Sequence, residues 1–216
     1  MKARGMALVS GLVVLAAVSL LALTAVGGMT LQQHQSANFL DRLRAEANAD
    51  AALTTARAWL DSRADTDRQS DCVTGCFMPD EVRPPGTLPP SPEFLPGAWW
   101  GRQAADAAQD PLNGSPLPVG GAGVGKAHWL IEEVHFQVLD PDQSASTLHG
   151  VGFYRLLGRG TGRHARSVAV AEAIVARPWQ GTYEAAMFPP DRSPGDFCNQ
   201  FDDGVPCGML SWRLRR

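Results

Sequence analysis

Gly5–Met29, GMALVSGLVVLAAVSLLALTAVGGM, is a run of twenty-five residues without a charge, and Lys2 and Arg4 stand directly before it. As a helix rising ~1.5 Å per residue it would reach about 37 Å, more than the roughly 30 Å hydrocarbon core of a bilayer. The stretch is therefore long and apolar enough to span a membrane. No acidic or basic side chain other than His34 follows it until Asp41. The positive-inside bias thus places the N-terminus in the cytoplasm and everything from Thr30 onward outside it.

Three kinds of segment meet this description. A secretory signal peptide would end in a small-residue cleavage site, which Ala25–Gly27 could supply, but its apolar region would be shorter than this one. A plain single-span anchor would be followed by a break or a polar linker. Here the next segment, Thr30–Arg63, contains neither Pro nor Gly and is rich in Ala, Leu, Arg and Gln, so it is expected to continue as helix. Gly27 and Gly28 fall near the end of the span, where paired glycines favour a kink or a melted turn. Phe39, Leu40, Leu43, Ala47 and Leu60 recur at helical spacing, and that face is expected to pack on a globular head. The third kind is the type IV prepilin, which a short basic leader ending in Gly5, followed by an apolar run and continued helix, resembles.

The resemblance extends further. The leader Lys2-Ala3-Arg4-Gly5, the start Met6-Ala7-Leu8-Val9, the run Thr30–Asn38 with its Ala37-Asn38 pair, Asp41-Arg42 and the stretch Asn48–Leu53 are similar to the N-terminal region of PilX-type minor pilins. Asp50 stands where that family usually has Glu. The resemblance implies a leader of residues 1–5 removed between Gly5 and Met6, with N-methylation by a prepilin peptidase on the cytoplasmic face. It implies a membrane and assembly helix over 6–29, an amphipathic helix over 30–66 and an extracytoplasmic head over 67–216. Most pilins carry Glu five residues into the mature chain; here that position is Ser10, which removes one register-setting contact and a carboxylate that would be costly in lipid. Ala16, Ala17, Ser19, Ala22 and Ala25 would let neighbouring helices approach closely.

Beyond the helix the chain is long enough for one ordinary domain. The formal net charge of -3 is spread without a single-sign block, so nucleic acid is not an expected partner. The four cysteines fall in two close pairs, Cys72 with Cys76 and Cys198 with Cys207, all beyond the span. Two local disulfides in an oxidising compartment are the simplest account, although four cysteines permit three pairings. A four-thiolate metal site lacks its usual two-residue spacing in both pairs.

From Asp71 to Gly125 seven prolines between Pro79 and Pro96 exclude long regular elements. An ordered loop is expected there, packed down by Phe77, Phe94, Trp99 and Trp100, with one short helix near Gly101–Ala108. A strand is expected over Ala127–Asp140, with Leu130, Val134, Phe136 and Val138 alternating onto one face. Val151–Gly158 and Ser167–Arg177 read as further strands joined by a hairpin through Gly158–Gly162. Met209–Leu214 could add a closing strand after the loop Cys198–Cys207, whose Asp202-Asp203-Gly204 is a turn sequence. His128–Glu132 and Tyr154-Arg155-Leu156 to Gly162 resemble the strand motifs of PilX-like heads. The expected fold class is α+β and pilin-like: a long N-terminal helix packed on a small antiparallel sheet.

Catalytic motifs fail on inspection. Gly120–Ala127 nearly spells a phosphate-binding loop, but Ala127 replaces the metal-binding hydroxyl, prolines precede it and a strand is expected to follow. His128 and His135 flank Glu132 and Glu133, yet in a regular strand the two histidines would face opposite sides. No Gly-x-Ser-x-Gly elbow is present. Asp191, Asp196, Asp202 and Asp203 lack EF-hand spacing. The sequence therefore points to a non-enzyme without a cofactor or metal. The resemblance implies a minor pilin at the filament tip or in the priming complex. It would begin as a single-pass protein of a Gram-negative inner membrane with a periplasmic head and end in an extracellular pilus. Its implied partners are other minor and major pilins, the prepilin peptidase, the inner-membrane assembly platform and, before assembly, lipid. A tip pseudopilin of type II secretion and a membrane-anchored periplasmic binding or adhesion module are the alternatives.

Overall fold

The computed structural model describes residues 3–68, 81–117, 125–139, 149–180, 197–202 and 204–215. The chain divides into two compact units, Met1–Leu40 and Asp41–Arg216. The first is wholly helical among its described residues and belongs to helix α1, which covers Ala3–Asp61. The melted turn expected at Gly27–Gly28 does not occur: both residues are helical, and the Thr30 hydroxyl donates to the Gly27 carbonyl at 2.9 Å.

In the second unit the last third of α1 packs on a mixed sheet. Its strands are β1 (Val82–Arg83), β2 (Ala105–Asp106), β3 (Ala127–Val138), β4 (Gly150–Thr161), β5 (Val168–Trp179) and β6 (Gly208–Arg215). The four long strands form an antiparallel meander in the order β3, β4, β5, β6, each beside its neighbour in sequence. The two short strands share the outer edge of β3, β1 in parallel and β2 antiparallel. The fold class is thus α+β, and a fourth long strand closes the expected three-stranded sheet.

The face of α1 that meets the sheet differs from the one its large apolar residues suggest. Phe39, Leu40 and Leu43 are exposed, as is Ala47, while Ala45, Ala49, Ala52, Leu53, Ala56, Trp59 and Leu60 are buried. Glycine explains the choice. Gly158 and Gly160 of β4, and Gly162 just past its end, recur at every second residue and so lie on one face. A β-carbon at Gly160 would overlap the Ala45 carbonyl oxygen and the Ala49 amide; one at Gly158 would overlap the Ala49 carbonyl; one at Gly162 would meet Asp41 at 2.5 Å. Helix backbone and strand backbone touch directly, which only small residues allow. Gly158–Gly160 therefore belongs to the strand, and the turn expected there lies after Thr161.

That turn is held by the helix. The carboxylate of Asp41 accepts the backbone N–H of Arg163 at 2.5 Å and that of His164 at 3.3 Å. The Ser167 hydroxyl and these two amides hold its pKa below the ordinary carboxylate value. Asn48 adds a buried donor, its Nδ2 reaching the Thr161 carbonyl at 2.7 Å.

Strand β3 breaks the simple alternation expected of it. Glu133 pairs with Tyr154 and His135 with Phe153, so Val134 is an extra residue in a β-bulge. Before the bulge Trp129, Ile131 and Glu133 face the helix; after it Phe136 does. Leu130 is buried on the other face with Leu157 and Val170, beneath Leu88 and Trp100, while Val134 and Val138 are exposed. The bulge also brings His135 onto the face of His128, not the opposite one. Trp100 belongs to helix α2 (Gly97–Gln103), with Pro96 at its N-cap; the helix expected over Gly101–Ala108 lies earlier than expected, and Ala105–Asp106 within that stretch is strand β2 instead.

The glycine seam predicts opposite signs for one chemical change. Gly160→Ala should lower unfolding free energy by about 1–3 kcal/mol, because helix and strand must separate. Gly101→Ala, with nothing near its new methyl group, should raise it by up to about 1 kcal/mol. Chemical denaturation of the two variants checks both signs.

Candidate functional site

The most distinctive chemistry lies in the N-terminal unit, where large apolar side chains face outward. Val9, Leu12, Val13, Val14, Leu15, Val18, Leu20, Leu21 and Leu23 are between 57% and 71% exposed. Aliphatic surface of this extent drives burial in lipid or against other helices. Within it the hydroxyls turn inward: Ser19 donates to the Leu15 carbonyl at 2.8 Å and Thr24 to the Leu21 carbonyl at 2.9 Å. Donors satisfied within the helix suit a medium without water. This helix is long and apolar enough to cross a membrane, with a mean hydropathy of 2.5 in its most apolar window.

Arg4, Gly5, Met6 and Ser10 all lie on α1, and Ser10 is exposed. Lys2 falls outside the described residues, as do Cys72 and Cys76. Cys198 and Cys207 are joined by a disulfide with a Cα–Cα separation of 5.6 Å. It closes a loop in which the Val205 N–H donates to the Asp202 carbonyl at 2.9 Å, the expected turn. Asp191, Asp196 and Asp203 lie outside the described residues. Among the described residues, no three or more His, Cys, Asp or Glu side chains are grouped to hold a metal.

The disulfide loop meets α1 at Arg57: a β-carbon at Gly208 would stand 3.3 Å from its guanidinium and 3.5 Å from the Cys198 sulfur. Arg57 Nε lies 3.5 Å from a carboxylate oxygen of Asp61. Burial, only partly offset by Arg57 and Arg177, pushes the Asp61 carboxyl up to about 6.

Past Asp61 a buried polar cluster fastens the end of α1 to the sheet. Arg68 pairs with Glu133, whose Oε2 also accepts the Tyr154 hydroxyl at 3.2 Å; the Trp179 indole N–H donates to that hydroxyl at 3.0 Å. Arg177 lies 3.5 Å from Asp65, donates to the Arg63 carbonyl and stacks on Trp179 with its guanidinium 3.5 Å from the ring. Burial, then the Glu133 charge, holds the Tyr154 phenol well above its ordinary pKa. These groups serve one another and are closed to a substrate. Their meeting was not readable from sequence, since the partners lie far apart and the bulge at Val134 sets the facing of β3.

The opposite face of the sheet carries a cross-strand ladder. Arg155 of β4 lies 3.4 Å from Glu132 of β3 and 3.3 Å from Glu172 of β5. Glu172 also pairs with Arg213 and Arg215 of β6, and Arg215 reaches Glu93 at 2.7 Å. A cleft of about 370 Å³ opens at the β1 and β2 edge.

Compared with models of known families, with curated proteins and with solved structures, the chain matches none.

Asp61 gives a pH prediction. Its folded pKa of about 6 lies above the ordinary 3.8, so the protonated form favours the fold. That contribution is complete below the unfolded value and is lost as pH rises through the folded one. Between those values and neutrality, Asp61→Asn should lose less stability than the parent, by up to about 3 kcal/mol. Urea midpoints measured across the range check it.

Proposed function

We propose that this chain is a minor pilin of a type IV pilus, made as a single-pass inner-membrane prepilin with an extracytoplasmic head. The observation that carries the reading is the double nature of α1. Its N-terminal part presents uncharged side chains that are more than half exposed, and its last turns are the central packing element of an α+β unit. Such a helix has one part available for lipid or neighbouring subunits and another committed to its own fold. The basic leader ending at Gly5 and the disulfide at Cys198–Cys207 also support the reading.

In this role a prepilin peptidase removes residues 1–5 and methylates the new N-terminus at Met6. The apolar helix then leaves the membrane through the assembly platform and joins other major and minor pilins. Ser10 takes the place of the usual glutamate, so the subunit lacks one contact that sets helical register. It therefore enters at the tip or in the priming complex. Recovery of the mature chain along whole filaments at the abundance of a major subunit would contradict that placement; quantitative mass spectrometry of sheared and tip-enriched fractions measures it.

Processing tests the main proposal. On co-expression with a prepilin peptidase, intact-mass analysis should show loss of Met1–Gly5 with one added methyl group, and Gly5→Ala should abolish both. A chain that retains Met1 in the presence of an active peptidase is an anchored module, not a pilin.

A further inference from the structure

Three separated segments meet at the Asp41 end of the packed part of α1. Asp41 accepts the backbone N–H groups of Arg163 and His164. The Thr161 N–H donates to the Lys126 carbonyl at 2.9 Å, and the Lys126 N–H donates to the Thr161 hydroxyl at 2.8 Å. Helix, turn and the residue before β3 are thereby tied together, and each brings cations. Arg42, Arg44, Lys126, Arg163 and Arg166 are all exposed, as is His164. The carboxylates near them are already engaged: Asp41 holds the turn, Glu46 accepts from Arg42 Nε at 3.1 Å, and Asp106 accepts the Ala108 N–H at 2.9 Å.

Two buried groups register the same excess. Burial lowers the Arg159 pKa, and no carboxylate among the described residues raises it. Burial also holds His128 below the ordinary imidazole value, with Asp106 opposing and Arg159 and Lys126 adding to the fall. A chain of net charge -3 thus gathers five exposed cations at one end of its head. No run of the sequence shows this, because the three segments are far apart.

The position of the patch along the chain selects its partner. Helix α1 is continuous through this region, and apart from His34 no ionisable side chain lies between Gly5 and Asp41. Those thirty-six residues rise about 54 Å as helix, and an ordinary tilt of about 20–40° lowers that to roughly 41–51 Å. A bilayer with its headgroups is roughly 40–45 Å thick, and the Debye length is about 8–10 Å. With the basic leader at one surface, Arg42 comes to the other surface or to within about a Debye length of it.

We propose that this basic end of the head binds anionic phospholipid headgroups of the outer leaflet while the chain resides in the membrane. The proposal rests on the reading of α1 as a membrane span, and not on cleavage or assembly.

The full-length chain, with a fluorophore attached at position 165 of the exposed turn, is reconstituted into nanodiscs that carry a headgroup-labelled acceptor lipid. Energy transfer should be higher in discs of phosphatidylcholine with phosphatidylglycerol than in discs of phosphatidylcholine alone, and added salt should remove the difference. Arg163→Gln and Arg166→Gln, with unchanged thermal melting as the check on folding, should each lower the preference for anionic discs about fivefold. Equal transfer in the two kinds of disc, or a difference that survives in the double variant, would overturn the proposal. So would a turn that ignores lipid charge and responds instead to soluble polyglutamate, which would assign the patch to an acidic protein. A chain that does not enter neutral discs has no span, and that result refutes the anchor along with the patch; a chain that enters them without sensing charge refutes the patch alone.

Discussion

Everything in the head depends on how near α1 comes to β4. At Gly158 and Gly160, and at Gly162 just past its end, the strand has no side chains facing the helix, and at Ala45 and Ala49 the helix has almost none facing the strand. At such separations dispersion between main chains replaces interdigitated side chains, and any added carbon must push whole elements apart. The bulky side chains lie on either side of the seam: Leu53, Trp59 and Leu60 on the helix, and Trp129, Ile131, Phe136 and Leu156 on the sheet. The helix is set down at a point fixed by glycine, and the aromatic residues fill what remains.

The same seam accounts for the polar contacts around it. With the helix so close, Asn48 reaches the last residue of β4 at Thr161 and Asp41 the backbone just beyond it, and together they hold the turn to β5. At the other end of the packed segment the chain leaves the helix and meets Glu133 and Arg177, charges that could not be buried singly and are buried as partners. Both ends of the contact are therefore fixed by directional bonds, while its middle is fixed by shape.

The long elements were legible in the sequence, but the two short edge strands were not, and the facing of the long ones was only partly so. The helix, the three central strands and the closing strand follow from residue periodicity and from the placement of Gly and Pro. The buried helix face did not, because hydrophobicity gives weight to Phe39, Leu40 and Leu43, whereas the decisive property of Ala45 and Ala49 is their small size. Gly158–Gly162 carried the signal in plain view: glycine at alternate positions within a β-rich run marks close approach of another backbone as well as it marks a turn. The bulge at Val134 left no such trace, and with it the facing of Val138, His135 and Phe136 was out of reach.

The hydroxyls of Ser19 and Thr24 bear on more than local helix geometry. A polar group that is hydrated in one setting and bonded in another makes every transfer between them depend on breaking and remaking that hydration. In the apolar part of α1 these groups are already bonded to the helix's own carbonyls. The segment thus carries its solvation with it, and exchange of acyl chains for apolar protein surface changes little besides the identity of the carbon atoms in contact. A helix built in this way is thermodynamically portable: it can reside in one apolar phase and be drawn into another without a barrier set by its own polar atoms.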